Sequence, residues 1–231
     1  MGLAQAVNGR LRQVPVWPIY ATAFTYAAWL FWLGVSGGLG VDPVKGLEWA
    51  VGKTGLQLLI AGLLVTPLRK TTGVSLIKFR RALGLSAFFF ILLHLLVWLV
   101  LDIQLRWGEI WADILKRPYI TIGMTGFLVL IPLAITSNNR SVRRLGAAAW
   151  GRLHRLTYLA VAAGAIHYLM VVKAWPLEPV LYCVGVGALL LLRVRFRALL
   201  VAGSGPANPE THAAAQHLAA SPARRLWSTL R

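Results

Sequence analysis

The chain has 231 residues, a formal net charge of +17, a hydrophobic fraction of 58% and a mean hydropathy of +0.66. Only 13% of its residues are charged, about half the fraction of an ordinary soluble domain, which excludes that class and indicates a polytopic membrane protein. The excess of Lys and Arg then reflects the bias of basic residues toward cytoplasmic loops, so no nucleic-acid partner is predicted.

Apolar stretches that suit membrane helices recur along the chain. The first is longer than a signal-peptide core and further spans follow, which predicts an uncleaved first span. The fold class is therefore all-α, a membrane bundle of six transmembrane helices. The predicted spans are Val16–Val35, Gly52–Leu68, Ala82–Leu101, Tyr119–Thr136, Leu156–Val172 and Leu177–Leu192.

The charges alternate from one predicted loop to the next. Most of the 24 basic residues fall on the side that holds the N-terminus, and six of the seven acids fall on the other side. Because basic loops stay in the cytoplasm, both termini are expected there. The expected domains are a cytoplasmic segment (1–15), the transmembrane domain (16–197) and a basic, Ala/Pro-rich cytoplasmic tail (198–231) that contacts anionic membrane lipid.

His94 and His167 lie in the third and fifth predicted spans. His94 is thirteen residues beyond Arg81, and His167 is twelve beyond Arg155. At about 1.5 Å per residue, both rings stand roughly 18–20 Å above the cytoplasmic face. Two imidazoles at equal depth on separate helices can bind an iron porphyrin between them.

Other interpretations of this pair stay open. An intramembrane histidine also forms ordinary hydrogen bonds to a neighbouring helix, and the strip of Ala160, Ala163 and Gly164 suits either a flat ligand or a helix–helix contact. Catalytic zinc is disfavoured because a third ligand is missing at this depth. A proton channel is disfavoured because Glu178, the one acid within the predicted spans, lies at the outer end of the sixth, which leaves no intramembrane carboxylate to continue a relay.

His154 lies at the cytoplasmic end of the fifth span. The positions where a facing ligand would stand in the third span are Arg80 and Arg81. The inner site could therefore hold a weakly ligated haem, a flavin or a quinone headgroup, or His154 could be an interfacial residue. Arginine forks suit haem propionates and flavin phosphate, so Arg80, Arg81 and Arg152 are candidate cofactor-binding residues, although positive-inside charge explains them equally well.

Several runs resemble a known family: RRALG at Arg80, LLH at His94, KRPYITIG at Lys116, RRLGAAAWGRLHRLTY at Arg143 and AIHYL around His167. The layout is similar to the ferric-reductase-like transmembrane domain. Within that family it resembles the haem-binding membrane subunits of bacterial periplasmic methionine sulfoxide reductase systems. The resemblance covers residues 15–200.

The resemblance implies an electron-transfer subunit of the bacterial inner membrane that binds b-type haem (heme b). It implies electrons from the quinone pool, a bound FMN, and a periplasmic molybdopterin-containing partner subunit that repairs oxidised methionine. By this match the haem ligands are His94, His154 and His167. The outer loop Ile103–Pro118 is the expected docking segment.

The chain departs from the larger reductases and oxidases of this family in two ways. It has no C-terminal flavin and nucleotide domain, so a separate electron donor is expected. It also lacks a second histidine in the third span, which leaves the inner haem open. The rival functions are a stand-alone ferric or quinone reductase and a small transporter or channel; the latter is disfavoured by the lack of paired broken helices.

Overall fold

The computed structural model describes the backbone of residues 2–172, 174 and 176–203, and side chains as far as residue 193. Lys173, Trp175 and the predicted tail from residue 204, with His212 and His217, lie outside the described residues. The chain divides into two compact units, residues 1–190 and 191–231, and the site described below lies wholly within the first.

All regular elements of the described residues are helical, which confirms the all-α class. Each predicted span falls almost entirely within one helical segment. A π-helical segment, Val97–Asp102, continues the fourth helix, and 3-10 turns cover Ile77–Phe79 and His154–Leu156. The helices are α1 Leu3–Gln13, α2 Trp17–Val35, α3 Pro43–Thr72, α4 Arg80–Leu96, α5 Trp107–Lys116, α6 Pro118–Ile135, α7 Asn139–Leu153, α8 Thr157–Val171 and α9 Leu177–Gly203.

In the described part of the chain, three helical segments are long and apolar enough to cross a membrane: Pro43–Thr72, Ile77–Asp102 and Pro118–Ile135. The protein is thus an integral membrane protein by composition and length. Helix α8 has only 15 residues because a 3-10 turn precedes it, and α2 is rich in Trp and Tyr. The six-span count therefore remains a prediction.

Helix α3 begins nearer the chain start than its predicted span, and its ends have clear local causes. The Asp42 side chain accepts a hydrogen bond from the Lys45 backbone N–H at 3.0 Å, and Pro43 occupies the first helical position. At the other end Gly73 adopts a left-handed conformation, φ 73°, which only glycine adopts without strain. In the added first turns Lys45 and Glu48 form an ion pair at 3.0 Å, so these charged residues continue the helix instead of ending it.

Two helix pairs form the centre of the bundle: α3 packs against α4, and α6 packs against α8. Apolar residues of all four helices meet in one buried cluster, with Val186 of α9 completing it. A second cluster joins α2 to α3 and α4 around Phe90 and Val51. A third closes the far end of the pairs with Trp98, Ile103, Ile110 and Ile120.

Helix α1 is fastened to the loop between α3 and α4. Asn8 donates its side-chain N–H to the Gly73 carbonyl at 2.9 Å and accepts from the Ser75 N–H at 2.8 Å. Lys78 Nζ donates to the carbonyls of Arg12 and Val14, each at 2.7 Å. The N-terminal segment therefore lies on the same end of the bundle as this basic loop.

Candidate functional site

A cavity of about 300 Å³ lies between the two helix pairs. All four helices line it, α3 and α4 on one side and α6 and α8 on the other. His94 of α4 and His167 of α8 are both part of its wall. The structure therefore brings these two predicted residues together in one space.

His94 is fixed by the neighbouring helix α3. Its Nδ1 lies 2.8 Å from the backbone carbonyl oxygen of Glu48. Because a carbonyl oxygen can only accept, Nδ1 donates and carries the hydrogen. Gly52 stands one turn further along α3, and a Cβ added there would lie 2.7 Å from Nδ1. The imidazole therefore occupies the space that a larger residue at position 52 would fill.

His167 is fixed in the same way by α6. Its Nδ1 donates to the backbone carbonyl oxygen of Tyr119 at 2.7 Å. Gly123 lies four residues after Tyr119, as Gly52 lies four after Glu48, and a Cβ at Gly123 would lie 2.8 Å from Nδ1. The site thus contains two equivalent clamps, each made of one histidine, one helix carbonyl and one glycine.

The two rings face each other at a distance that suits one metal ion. Their centroids are 6.0 Å apart and their planes are inclined at 80°. Two metal–imidazole bonds of about 2 Å, with about 1 Å from each ring centre to Nε2, also require about 6 Å. Since Nδ1 of each ring is engaged by a carbonyl, Nε2 is the atom left to bind a metal, as in histidine-ligated metal sites generally.

The cavity wall also suits a flat, largely apolar ligand. Ala160 and Gly164 of α8 line the cavity, whereas Ala163 contacts the α6 backbone at Gly126. The small-residue strip therefore contributes both to the cavity wall and to the packing of α8 on α6. In the described residues no cluster of three His, Cys, Asp or Glu side chains could hold a metal ion.

The π-helical segment positions the rest of the α4 wall. Trp98 and Asp102 follow His94 at intervals of four residues, and all three line the cavity. π-Helical insertions often occur at functional sites because they redirect the side chains that follow. Here the segment carries Asp102 to the end of the cavity that lies away from the loop holding α1, which we call the outer end.

The outer end of the cavity is charged. Lys45 Nζ lies 2.7 Å from Asp102 and 3.0 Å from Glu48. Lys53 forms an ion pair with Glu178 of α9, and Arg117 lies 3.1 Å from Asp113. All three cations line the cavity. We refer to Lys45, Lys53 and Arg117 as the outer cation group.

The structure does not bring His154 to this cavity. Its ring stacks on Trp150 at 3.8 Å, its Nδ1 lies 3.2 Å from the Trp150 carbonyl oxygen, and its Nε2 lies 3.4 Å from Ser137 Oγ. Burial lowers the pKa of His154, and the positive charges of Arg80 and Arg81 lower it further. His154 thus belongs to a separate inner region.

The predicted arginines lie at the surface of this inner end. Arg80, Arg81 and Arg152 are exposed, and Arg81 donates to the Asn139 side-chain oxygen at 2.9 Å. Sequence reasoning missed Gly52, Gly123 and the outer cation group. One sequence signal could have indicated the two glycines: each lies in the predicted span directly before a span that carries a histidine, Gly52 before His94 and Gly123 before His167.

The fold and the paired histidines define a class, a helical membrane domain with a bis-histidine site between two helix pairs. Residues 48–165 match the family described as Ferric reductase like transmembrane component. This matched region includes the His94 clamp, His154, and Tyr119 and Gly123 of the second clamp, and its last residue precedes His167 by two positions.

Full-length relatives narrow the family further. The chain is 51% identical, over 78% of its length and 81% of the relative's, to the protein-methionine-sulfoxide reductase heme-binding subunit MsrQ of Brucella anthropi. It is 48% identical to the protein of the same name from Brucella ovis, over 83% of this chain and 90% of that protein. The chain belongs to the family of heme-binding subunits of protein-methionine-sulfoxide reductase.

Proposed function

We propose that the protein is a membrane electron-transfer subunit that binds heme b between His94 and His167. The observation that carries this proposal is the pair of facing imidazoles with centroids 6.0 Å apart, each with Nδ1 bound to a helix carbonyl. The names of its relatives support haem as the ligand.

Haem supplies a centre that takes up and gives away one electron at a time. The chain's own residues do the rest. Nε2 of His94 and His167 would bind the iron, and the carbonyls of Glu48 and Tyr119 hold the hydrogen on each Nδ1. This fixes the orientation of both rings and increases the basicity of the ligating nitrogens.

The proposed topology has six spans, of which the three long apolar segments are the best supported, with both termini in the cytoplasm of a bacterium and the protein in its inner membrane. The positive-inside pattern of the sequence supports this orientation. We keep the domain bounds 1–15, 16–197 and 198–231. In this orientation the His94/His167 site lies toward the periplasm.

The proposed partner is the periplasmic, molybdopterin-containing catalytic subunit that reduces methionine sulfoxide in envelope proteins. The relatives' names identify them as heme-binding subunits of a protein-methionine-sulfoxide reductase, which supports a partner that reduces methionine sulfoxide. Helix α5 is the proposed docking segment, since Trp107 and Trp111 are exposed on it and it is connected to α6 through the Thr121–Ile114 hydrogen bond of 2.7 Å. This chain transfers electrons and does not itself contact the sulfoxide.

Electrons are proposed to enter at the inner end from the quinone pool, through FMN or a second haem near His154. The aromatic stack of His154 on Trp150 and the nearby charges of Arg80 and Arg81 support a cofactor there. Arg152 is retained as a further candidate in this region.

The test is a pyridine-haemochrome count on the purified protein, with optical spectra of His94→Ala and His167→Ala. We expect stoichiometric haem in the wild type and loss of the main low-spin absorption in each variant, whereas His217→Ala in the tail should match the wild type. A colourless wild-type preparation from haem-replete cells, or unaltered low-spin spectra in both variants, would refute the proposal.

A second candidate function is a stand-alone ferric or quinone reductase, which the ferric-reductase-like family match favours. The protein would be reconstituted in vesicles with decylubiquinol and a soluble ferric chelate, without any partner. Rapid chelate reduction would favour the stand-alone enzyme, and its absence, with haem reduction intact, would favour the subunit.

A further inference from the structure

The haem cavity differs chemically from one end to the other. Its deep end is lined by apolar side chains, among them Leu59, Phe127 and Leu130. The outer end is lined by the outer cation group, Lys45, Lys53 and Arg117. A ligand that fits this cavity should therefore be apolar over most of its surface and anionic along one edge.

Haem has this distribution, because its two propionate carboxylates share one edge of an otherwise apolar macrocycle. At the deep end the carboxylates would lose hydration without gaining an opposite charge, which is strongly unfavourable. At the outer end they meet ammonium and guanidinium groups and remain close to water. The cavity therefore favours one of the two ways of inserting the ring.

We propose that Lys53 and Arg117 bind the two haem propionates and set the haem with its propionate edge toward the outer face. This inference rests on the proposed function, since it concerns a haem held between His94 and His167. The inference adds two haem-binding residues to the clamps and specifies the direction of the propionate edge, which the clamps alone do not determine.

Each of these cations stands beside one clamp. Lys53 directly follows Gly52, which contacts His94, and Arg117 lies two residues before Tyr119, whose carbonyl accepts from His167. Lys53 lies on α3 and Arg117 directly precedes α6, the two helices whose carbonyls accept from the imidazoles, so each clamp has a cation beside it at the cavity mouth. Two carboxylates on one edge match two cations on opposite walls.

The present partners of Lys53 and Arg117 leave them available. Their side chains are 39% and 52% exposed, and each pairs with one carboxylate that is not part of the cavity wall, Glu178 and Asp113 respectively. Arg117 also donates a long hydrogen bond, 3.3 Å, to the Tyr119 hydroxyl at the cavity wall. Exposed pairs of this kind contribute little to stability. Lys45 differs, because it already bridges two cavity carboxylates, Asp102 and Glu48, so we do not assign it a propionate.

The experiment uses Lys53→Gln, Arg117→Gln and the double variant, with Lys116→Gln as the control. Lys116 is exposed, carries the same charge and does not line the cavity. The readouts are the rate of haem transfer to excess apomyoglobin and the haem midpoint potential. Since each variant loses one charge-assisted hydrogen bond to a propionate, each single variant should release haem roughly tenfold faster. The potential should fall, because a nearby cation stabilises the added electron.

Replacing haem by an ester without carboxylate charges distinguishes the loss of cation–propionate contacts from a general loss of structure in the variants. Apoprotein of each variant would be loaded with haem or with haem dimethyl ester, which lacks the carboxylate charges. In the wild type and in Lys116→Gln we expect the ester to dissociate faster than haem. In the double variant we expect the ester and haem to dissociate at nearly the same rate, as a double-mutant cycle requires.

Equal haem release and equal potentials in the wild type and the double variant would overturn the inference. So would an ester effect that persists unchanged in the double variant. In both cases a wild-type protein with full, low-spin haem would still support the proposed function, so the two failures are distinguishable.

Discussion

The clamp glycines offer the most specific prediction about the site. In Gly52→Ala the new Cβ would lie 2.7 Å from Nδ1 and 3.0 Å from Cε1 of His94, closer than van der Waals contact allows. The ring must move away from the Glu48 carbonyl, or α3 must move away from α4. Gly62→Ala is the matched control, because Gly62 also lies inside α3 and an added Cβ there meets no atom within 4 Å.

The expected magnitude follows from three effects. Overpacking at a tight contact costs about 1–3 kcal/mol, and loss of the Nδ1 hydrogen bond costs about 1 kcal/mol more. Replacing a helical glycine by alanine returns about 0.5–1 kcal/mol. The net penalty of about 1–3 kcal/mol should weaken haem binding roughly tenfold or more, whereas Gly62→Ala should raise stability by about 0.5–1 kcal/mol with haem binding unchanged.

Haem transfer to apomyoglobin and thermal unfolding in detergent measure the two effects separately. Gly123→Ala should reproduce the result at the second clamp, since its Cβ would lie 2.8 Å from Nδ1 of His167. The reasoning is refuted if Gly52→Ala binds haem as tightly as Gly62→Ala and unfolds at the same temperature.

Three further predictions concern other parts of the molecule. Burial lowers the pKa of His154, so the unfolded chain binds the proton more readily and the free energy of unfolding should fall as the pH drops below about 6.5. The thermal unfolding temperature of His154→Gln should depend less on pH than that of the wild type. An equal pH dependence in the two proteins would contradict this. Asp42→Ala removes the α3 cap and should lower the unfolding free energy by about 1 kcal/mol in a detergent denaturation assay. An unfolding free energy equal to that of the wild type would contradict this prediction. Ring planes at 80° would leave two d orbitals of a bound iron nearly degenerate. Electron paramagnetic resonance of the ferric protein should therefore show a highly anisotropic low-spin signal, and the spectrum typical of parallel rings would argue against this geometry.

The sequence predicted the helices and the central pair of the site well, for simple physical reasons. The charge-free stretches are long enough to identify the membrane helices. The constant rise per residue of a helix then gives the depth of a side chain from its distance in sequence to the helix end. Equal distances of His94 and His167 from basic helix ends therefore predicted rings at the same level, and the structure has them 6.0 Å apart.

The clamps and the cavity mouth could not be predicted in this way. The acceptors for the histidines are backbone carbonyls of Glu48 and Tyr119, and a carbonyl is present at every position, so side-chain patterns give no signal. In the sequence the outer cations resemble ordinary loop charge, because the ion pairs that connect Lys45 to Asp102 and Lys53 to Glu178 join distant parts of the chain.

Helices α1, α5 and α7 were likewise not predicted as elements. Each is short and amphipathic or polar, and such helices are stabilised mainly by tertiary contacts. For α5 the contact is buried Ile110, within the cluster of Trp98, Ile103 and Ile120, which depends on the packed bundle.

Ligation of one iron by both imidazoles is tested most directly by near-infrared magnetic circular dichroism of the oxidised, haem-loaded protein. The charge-transfer band in this region reports the identity of the axial ligands. A bis-imidazole band in the wild type that disappears in both His94→Ala and His167→Ala is the predicted result. A wild-type band of another ligand pair, or a bis-imidazole band that survives in either variant, would contradict it.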